Sequence, residues 1–543
     1  MPALIGLLAL WLATVCNVAL WQQLWALPEV NGWRGLRFML GMLVWLWGVL
    51  AVFISLLAWP KVFKPVAVIL LMSAAAATHF MLAFSTLIDP SMLVNVLHTD
   101  TKEAADLFSL RLVFTLLVLG VLPAWWLWRQ PVRPAKALRH IGTNAATLLV
   151  ATLVAGLALY VVFQDFASVM RNHKQVRYLI NPLNSVYAVA KVVADTAPRS
   201  QQPLQAVGED ARPGPSYTNQ TRPPLLVVVV GETARAANFG LGGYARDTTP
   251  KLQTLLKQGQ LTYFSDVRSC GTNTQASVPC MFSHLGKKAF EDSSARHENL
   301  LDMLQRAGLA VVWIDNQSGC KGLCDRVPNA NTRDLKQPGL CDSGDCLDEI
   351  MLGEMERQLA ALPPERKQLG TVVVLHQMGN HGPAYFKRSP AAHKVFLPEC
   401  ASNALQDCDR QTVVNAYDNA IRYTDHFLAQ TIAWLNRQPM STALLYVSDH
   451  GESLGENNLY LHGLPYALAP DEQKQVPMLA WLSEPMQQRT GLSHACLNQR
   501  AKQPLTHDNL FHSVLGLMDI QTQLHQPSLD IFQPIPGCQS EKR

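Results

Sequence analysis

Apolar and polar positions are distributed very unevenly along this chain of 543 residues. Five long apolar runs fall within its first third, at about 3–27, 36–59, 65–87, 110–128 and 144–163. Each is close to the roughly 20 residues that a helix needs to cross the hydrocarbon core of a bilayer. No Lys or Arg precedes the first run, Arg34 being the first basic residue, and no small-x-small cleavage site stands out. It is therefore read as a retained helix and not as a cleaved signal. Beyond the fifth run the pattern changes. Residues 165–194 predict helices lying on the membrane surface, and 198–224, rich in Pro, Gln and Arg, read as an exposed connector. Short buried strands are predicted at 225–230, 309–314, 371–375, 443–447 and 476–482, with helical spacing over 300–307, 349–359 and 413–435. Such alternation predicts an α/β layered domain with a largely parallel sheet. The expected organisation is a transmembrane domain at 1–164, a linker with surface helices at 165–224, and a soluble domain at 225–543.

Charge and cysteine usage then give this layout a direction. Lys61 and Lys64 lie between the second and third runs, and Arg129, Arg133, Lys136 and Arg139 between the fourth and fifth. Basic residues in short loops favour the cytoplasm, which places the N-terminus inside and delivers the soluble half outside. Ten of the eleven cysteines follow residue 269, which asks for an oxidising compartment on the same side. Cys270/Cys280, Cys320/Cys324, Cys341/Cys346 and Cys400/Cys408 are close pairs, and Cys496 and Cys538 form a longer fifth. Only two of these spacings suit a zinc cluster, so disulfides are the better reading. Cys16 reads as a packing residue. The outward connection at 89–109 carries Asn95, His98, Asp100, Lys102 and Glu103, suited either to a solvated turn or to a lip that meets lipid headgroups. A net charge of +4 is too small to imply nucleic acid, and a monomer is the default expectation.

Ligands of α/β sheets gather beyond the carboxyl ends of the strands. There the sequence offers Gly231-Glu232-Thr233, His376 followed by Gly379-Asn380-His381-Gly382-Pro383, and Ser448-Asp449-His450-Gly451. Glu232, Asp449 and His450 make a three-ligand set for zinc with a position open for chemistry, although oxygen donors also suit manganese. Asp425-His426 is a similar pair but sits mid-helix, where a structural role is expected. A turn from Ser269 to Cys280 offers Thr272, Thr274 and Ser277 as hydroxyl nucleophiles at a helix N-terminus, where backbone N–H groups favour phosphate. An ordinary capped turn explains that segment equally well. Gly451-Glu452-Ser453-Leu454-Gly455 matches the nucleophile elbow of serine hydrolases, but Ser448-Asp449-His450 stands between it and the strand.

These motifs, with Gly231-Glu232-Thr233-Ala234-Arg235, Cys270-Gly271-Thr272-x-Thr274, Ser277-Val278-Pro279-Cys280-Met281 and Ser448 to Glu456, resemble the phosphoethanolamine transferases of Gram-negative bacteria. The resemblance spans essentially the whole chain and is closest to the lipid A phosphoethanolamine transferases, which include the mobile colistin-resistance enzymes. It implies an alkaline phosphatase/sulfatase-like periplasmic domain on an inner-membrane anchor, phosphatidylethanolamine as donor, lipid A as acceptor, and polymyxin resistance as the outcome. It implies zinc on Glu232, Thr274, Asp449 and His450, with Thr274 carrying the transferred group. His381 and His462 are implied as phosphate contacts, proton carriers or ligands of a second zinc. Lys321 is implied in the pocket, and Asn95 and Glu103 as headgroup contacts. Gln275 stands where relatives often carry Ala. Transfer to core sugars, a phosphoglycerol transferase, a sulfatase- or phosphatase-like hydrolase and a non-catalytic envelope scaffold are the competing expectations.

Overall fold

The computed structural model describes residues 1–99, 101–132, 137–200, 202–341, 345–534 and 538. Asp100, Arg133 and Lys136 lie outside the described residues. The chain forms two compact units, Met1–Val96 with Leu107–Ala194, and Leu97–Asp106 with Asp195–Arg543.

In the first unit, five helices are long and apolar enough to cross a membrane: α1 Pro2–Trp25, α2 Gly32–Leu57, α3 Phe63–Phe84, α4 Leu110–Arg129 and α5 Leu138–Asn172. A spanning segment has no water to satisfy its backbone, so any break in a helix needs an internal partner. α1 breaks at a 3-10 turn over Val15–Asn17. The buried Asn181 amide meets that need, donating to the carbonyls of Cys16 at 3.0 Å and Ala74 at 2.8 Å. Asn17 returns the interaction by donating to the Asn181 carbonyl at 2.5 Å. Cys16 itself is buried and unbridged. α2 packs on α5 through small residues, since a Cβ on Gly48 would lie 2.8 Å from Ala155 Cβ. Van der Waals fit, and not the hydrophobic effect, drives such contacts in lipid.

The second unit is built on a seven-stranded sheet. Its strands are β1 Pro224–Gly231, β2 Thr262–Phe264, β3 Ala310–Asp315, β4 Asn329–Asn331, β5 Thr371–His376, β6 Ser441–Ser448 and β7 Met478–Leu482. Their spatial order is β2-β7-β6-β1-β5-β3-β4. From β6 to β4 the strands are parallel, while β7 runs antiparallel to β6 and β2 antiparallel to β7. The central strands are buried at every position, which is why they read as unbroken apolar runs. Register sets the level at which each strand ends. Gly231 of β1 lies opposite Ser448 of β6, while Val230 of β1 and Asp315 of β3 both pair with His376 of β5. The four strands thus end at nearly one level.

All five expected disulfides are formed, Cys270–Cys280, Cys320–Cys324, Cys341–Cys346, Cys400–Cys408 and Cys496–Cys538. Asp425 accepts from the backbone of Lys251 and Leu252 at 3.1 and 2.8 Å, capping the helix Pro250–Lys257, so its role is structural. Ser453 lies in a two-residue strand, is buried, and accepts from Gln473 at 2.9 Å, so it forms no strand-to-helix elbow. The close approach of α2 and α5 yields an expectation. Gly48→Leu should cost about 1–3 kcal/mol through overpacking, measured as a lower unfolding midpoint in mixed micelles, whereas Gly156→Leu, at an open position, should leave the midpoint unchanged.

Candidate active site

Because β1 and β6 are paired in register through Gly231 and Ser448, the next residues, Glu232 and Asp449, emerge side by side. His450 follows Asp449, and all three are fully buried. Each presents a ligand atom, and those atoms all lie within 4.8 Å of one another. His450 Nε2 is 3.4 Å from Glu232 Oε1 and 3.3 Å from Asp449 Oδ2. Its other nitrogen faces the Gly451 carbonyl at 2.9 Å, which turns Nε2 toward the carboxylates. Asp449 Oδ1 accepts from the backbone N–H of Thr233 at 3.0 Å and His450 at 2.7 Å. Asp449 Oδ2 is buried with no hydrogen-bond partner.

Two buried carboxyls share this centre with His450. Burial pushes Asp449 up to about 6, and the neighbouring Glu232 charge acts in the same direction. Burial also opposes ionisation of Glu232, but contact with His450 outweighs it and holds this carboxyl below its ordinary range. Burial alone would pull His450 down, yet Asp449 and Glu232 raise it to about 10. Two buried acids leaning on one imidazole, with an unsatisfied carboxylate oxygen aimed between them, fit a zinc ion by donor type and number.

The hydroxyl candidates separate by direction. The helix α6, Thr274–Met281, begins after Asn273, whose side chain accepts from Ala276 N at 2.9 Å. This cap places Thr274 on the first turn. Its Oγ1 lies 3.2 and 3.1 Å from the two Glu232 oxygens and 3.4 Å from His450 Nε2. Thr272 instead donates to the Leu464 carbonyl at 2.6 Å, and Ser277 accepts from Gly271 N at 2.8 Å.

Around this centre the other expected residues fall unequally. The His462 ring lies 4.3 Å from that of His450 and 5.8 Å from that of His381, centre to centre. His462 Nδ1 meets Glu452 Oε2 at 2.8 Å. His381 Nε2 is 3.9 Å from Glu103 Oε1, and its Nδ1 is buried with no hydrogen-bond partner. Glu103 also accepts from Gln317 at 3.1 Å, within the same compact unit. Lys321 is directed elsewhere: its ammonium donates to Ser318 Oγ at 2.7 Å, and it lines a cavity of about 260 Å³ with Pro279, Glu298 and Arg326. Asn95 sits on the helix Pro90–His98 in the first unit.

Two groups at the site carried no assigned role in the sequence reading. His376 ends β5, its Nδ1 2.9 Å from Asp315 Oδ2 and its Nε2 4.0 Å from Glu232 Oε2. A histidine closing a wholly apolar strand was the available signal. Glu452 joins His462 to Tyr385, whose hydroxyl donates to it at 2.6 Å. The loop between β5 and His381 is held against Glu232 by Gly379, which has φ +51° and would place a Cβ 2.7 Å from the Glu232 carbonyl. A side chain there would push the loop off the Glu232 backbone.

Residues 224–520 match the Sulfatase family, and 46–197 match the family described as "Phosphoethanolamine transferase EptA/EptB". The chain is 38% identical to the phosphoethanolamine transferase EptA of Salmonella typhimurium, over 97% of this chain and 96% of that protein. It is 38% identical to the phosphatidylethanolamine transferase Mcr-1 of Escherichia coli, over 89% of each. It is also similar to the solved structure of the integral membrane lipooligosaccharide phosphoethanolamine transferase A from Neisseria meningitidis, with a TM-score of 0.93, 37% identity, and coverage of 99% of this chain and 98% of that one. By similarity across nearly its whole length, anchor and soluble unit together, this chain belongs to the phosphoethanolamine transferase family.

Proposed function

We propose that this enzyme moves phosphoethanolamine from phosphatidylethanolamine to a phosphate of lipid A in two displacements, from an inner-membrane anchor with its N-terminus in the cytoplasm and its catalytic unit in the periplasm. The observation that carries the reading is the Thr274 hydroxyl, 3.1 Å from Glu232 and 3.4 Å from His450. In the first displacement Thr274 Oγ1 attacks phosphorus and passes its proton toward Glu232. The phosphorus–oxygen bond to the glyceride breaks, diacylglycerol leaves with a proton from His381, and phosphoethanolamine stays on Thr274. In the second, an anionic oxygen of the lipid A phosphate attacks that phosphorus, the bond to Thr274 breaks, Thr274 regains its proton from Glu232, and His381 is reprotonated from solvent. Two steps suit two lipid substrates that need not bind together.

Zinc held by Glu232, Asp449 and His450, with Thr274 as fourth donor, would acidify the hydroxyl and offset charge on the phosphoryl oxygens. Glu103 supplies a carboxylate for the ethanolammonium group of the donor. His462 is kept in place by Glu452 and faces the phosphate side. Adding an ammonium to lipid A offsets the negative charge that attracts cationic peptides, which is the route to polymyxin resistance.

Mass spectrometry of lipid A from a Gram-negative host should show one added phosphoethanolamine with the wild-type chain and none with Thr274→Ala. Addition to core sugars instead would redirect the acceptor, and a modified Thr274→Ala strain would remove the assigned nucleophile. The metal has its own readout. Asp449→Asn should purify without zinc, and zinc at 100-fold excess over its Kd should stabilise the wild type by about 2.7 kcal/mol in thermal unfolding, reversed by a chelator. The proton donor can be isolated by changing the leaving group. His381→Asn should lose about 10²–10⁴-fold with phosphatidylethanolamine but little with p-nitrophenyl phosphoethanolamine, whose leaving group needs no proton.

A further inference from the structure

We propose that Arg388 is a positioning residue for the transfer, fixing His381 and the Leu97–Asp106 segment as one assembly. The inference rests on the reading of His381 as proton donor. Leu97–Asp106 belongs to the same compact unit as the strands and the metal-binding group, although the sequence around it belongs to the other unit. Something must hold so short a piece against the catalytic loops.

The Arg388 side chain is 3% exposed, and its three nitrogens address three separate stretches of chain. Nε donates to the His381 carbonyl at 2.8 Å. One terminal nitrogen donates to Asp345 Oδ2 at 2.8 Å, and the other to Asp106 Oδ2 at 3.2 Å. Asp106 is also met by Lys387 at 2.5 Å, and its carbonyl accepts from Asn403 at 2.7 Å. A rigid planar fork can hold three acceptors at fixed angles, which a lysine ammonium on a flexible stem cannot.

The arrangement matters because His381 has little else to aim it. Its Nδ1 has no hydrogen-bond partner, and its backbone N–H donates to the Met378 carbonyl at a long 3.2 Å. The Arg388 bond to the His381 carbonyl therefore sets the height of the imidazole. The bond from the same guanidinium to Asp106 sets the strap that carries Glu103, three residues earlier on the short helix Thr101–Asp106. Glu103 and His381 meet at 3.9 Å as a result. Donor headgroup and departing oxygen are then presented to groups whose spacing one side chain controls.

The test uses full-length protein in lipid micelles with the two donors above. Arg388→Lys should lose about 100-fold in kcat with phosphatidylethanolamine. It should retain most of its rate with p-nitrophenyl phosphoethanolamine and a full zinc content. Asp106→Asn, which keeps the side-chain volume and removes the charge that Arg388 and Lys387 both meet, should shift in the same direction by less. Equal losses on both donors, or no loss on either, would overturn the inference, the first by showing a general structural role. His381→Asn is the reference. Donor discrimination in His381→Asn but not in Arg388→Lys overturns the role of Arg388 alone. No discrimination in His381→Asn removes the proton-donor reading, and the inference with it.

Discussion

Glu232 and Asp449 are two carboxylates buried side by side, and most of the site derives from that constraint. Like charges in a low-dielectric interior are tolerated only with a compensating cation and with saturated hydrogen bonding. The fold satisfies part of the demand: two backbone N–H groups saturate Asp449 Oδ1, and Thr233 donates to Glu232 at 2.5 Å. It leaves Asp449 Oδ2 without a hydrogen-bond partner, with His450 Nε2 3.3 Å away. A divalent ion would answer that unmet demand, and rigid strand ends suit such costly groups. A loop could relax away from the repulsion, whereas paired strands cannot.

The same rigidity positions the hydroxyl. Thr274 enters from a capped helix start, so its direction is set by Asn273 and by the Cys270–Cys280 bridge spanning the turn and the helix. On the far side, the Gly379 loop lies against Glu232, and Asp348 accepts from the backbone of Met378 and Gly379 at 2.8 and 3.0 Å. Each catalytic candidate is therefore aimed by a neighbour that is itself buried. Placement within a fraction of an ångström is what converts a weak nucleophile beside a phosphate into a competent one.

The spans and five of the seven strands were legible because they are apolar runs, while the three-residue β2 and β4 were too short to show. Glu232, Asp449 and His450 were legible because they come just after such runs. Other features were not local enough to read. His376 ends a strand just as Glu232 succeeds one, but its partner Asp315 becomes visible only through the register of β3 on β5. Glu452 lay inside a motif that drew attention to the wrong residue, Ser453. Arg388 and Asp106 are 282 positions apart, and no periodicity announces their bond. Lys321, taken from resemblance, bonds to Ser318 and lines another cavity, since the Cys320–Cys324 loop turns through φ +52° at that residue and sets its direction locally.

In the proposed mechanism, phosphorylated Thr274 could pass its group to water or to another acceptor, and the residues around it bear on which wins. Glu232, Asp449 and His450 are inaccessible, and Thr274 is only 5% exposed. An adduct there is reached from one direction. His462, His381 and Glu103 follow one another outward from His450. Attack by a phosphate oxygen needs no base because that oxygen is already anionic, while attack by water requires one. In the proposed transfer Glu232 has already taken the Thr274 proton when the adduct stands, so the carboxyl nearest the adduct would be no base for water and transfer would be favoured over hydrolysis.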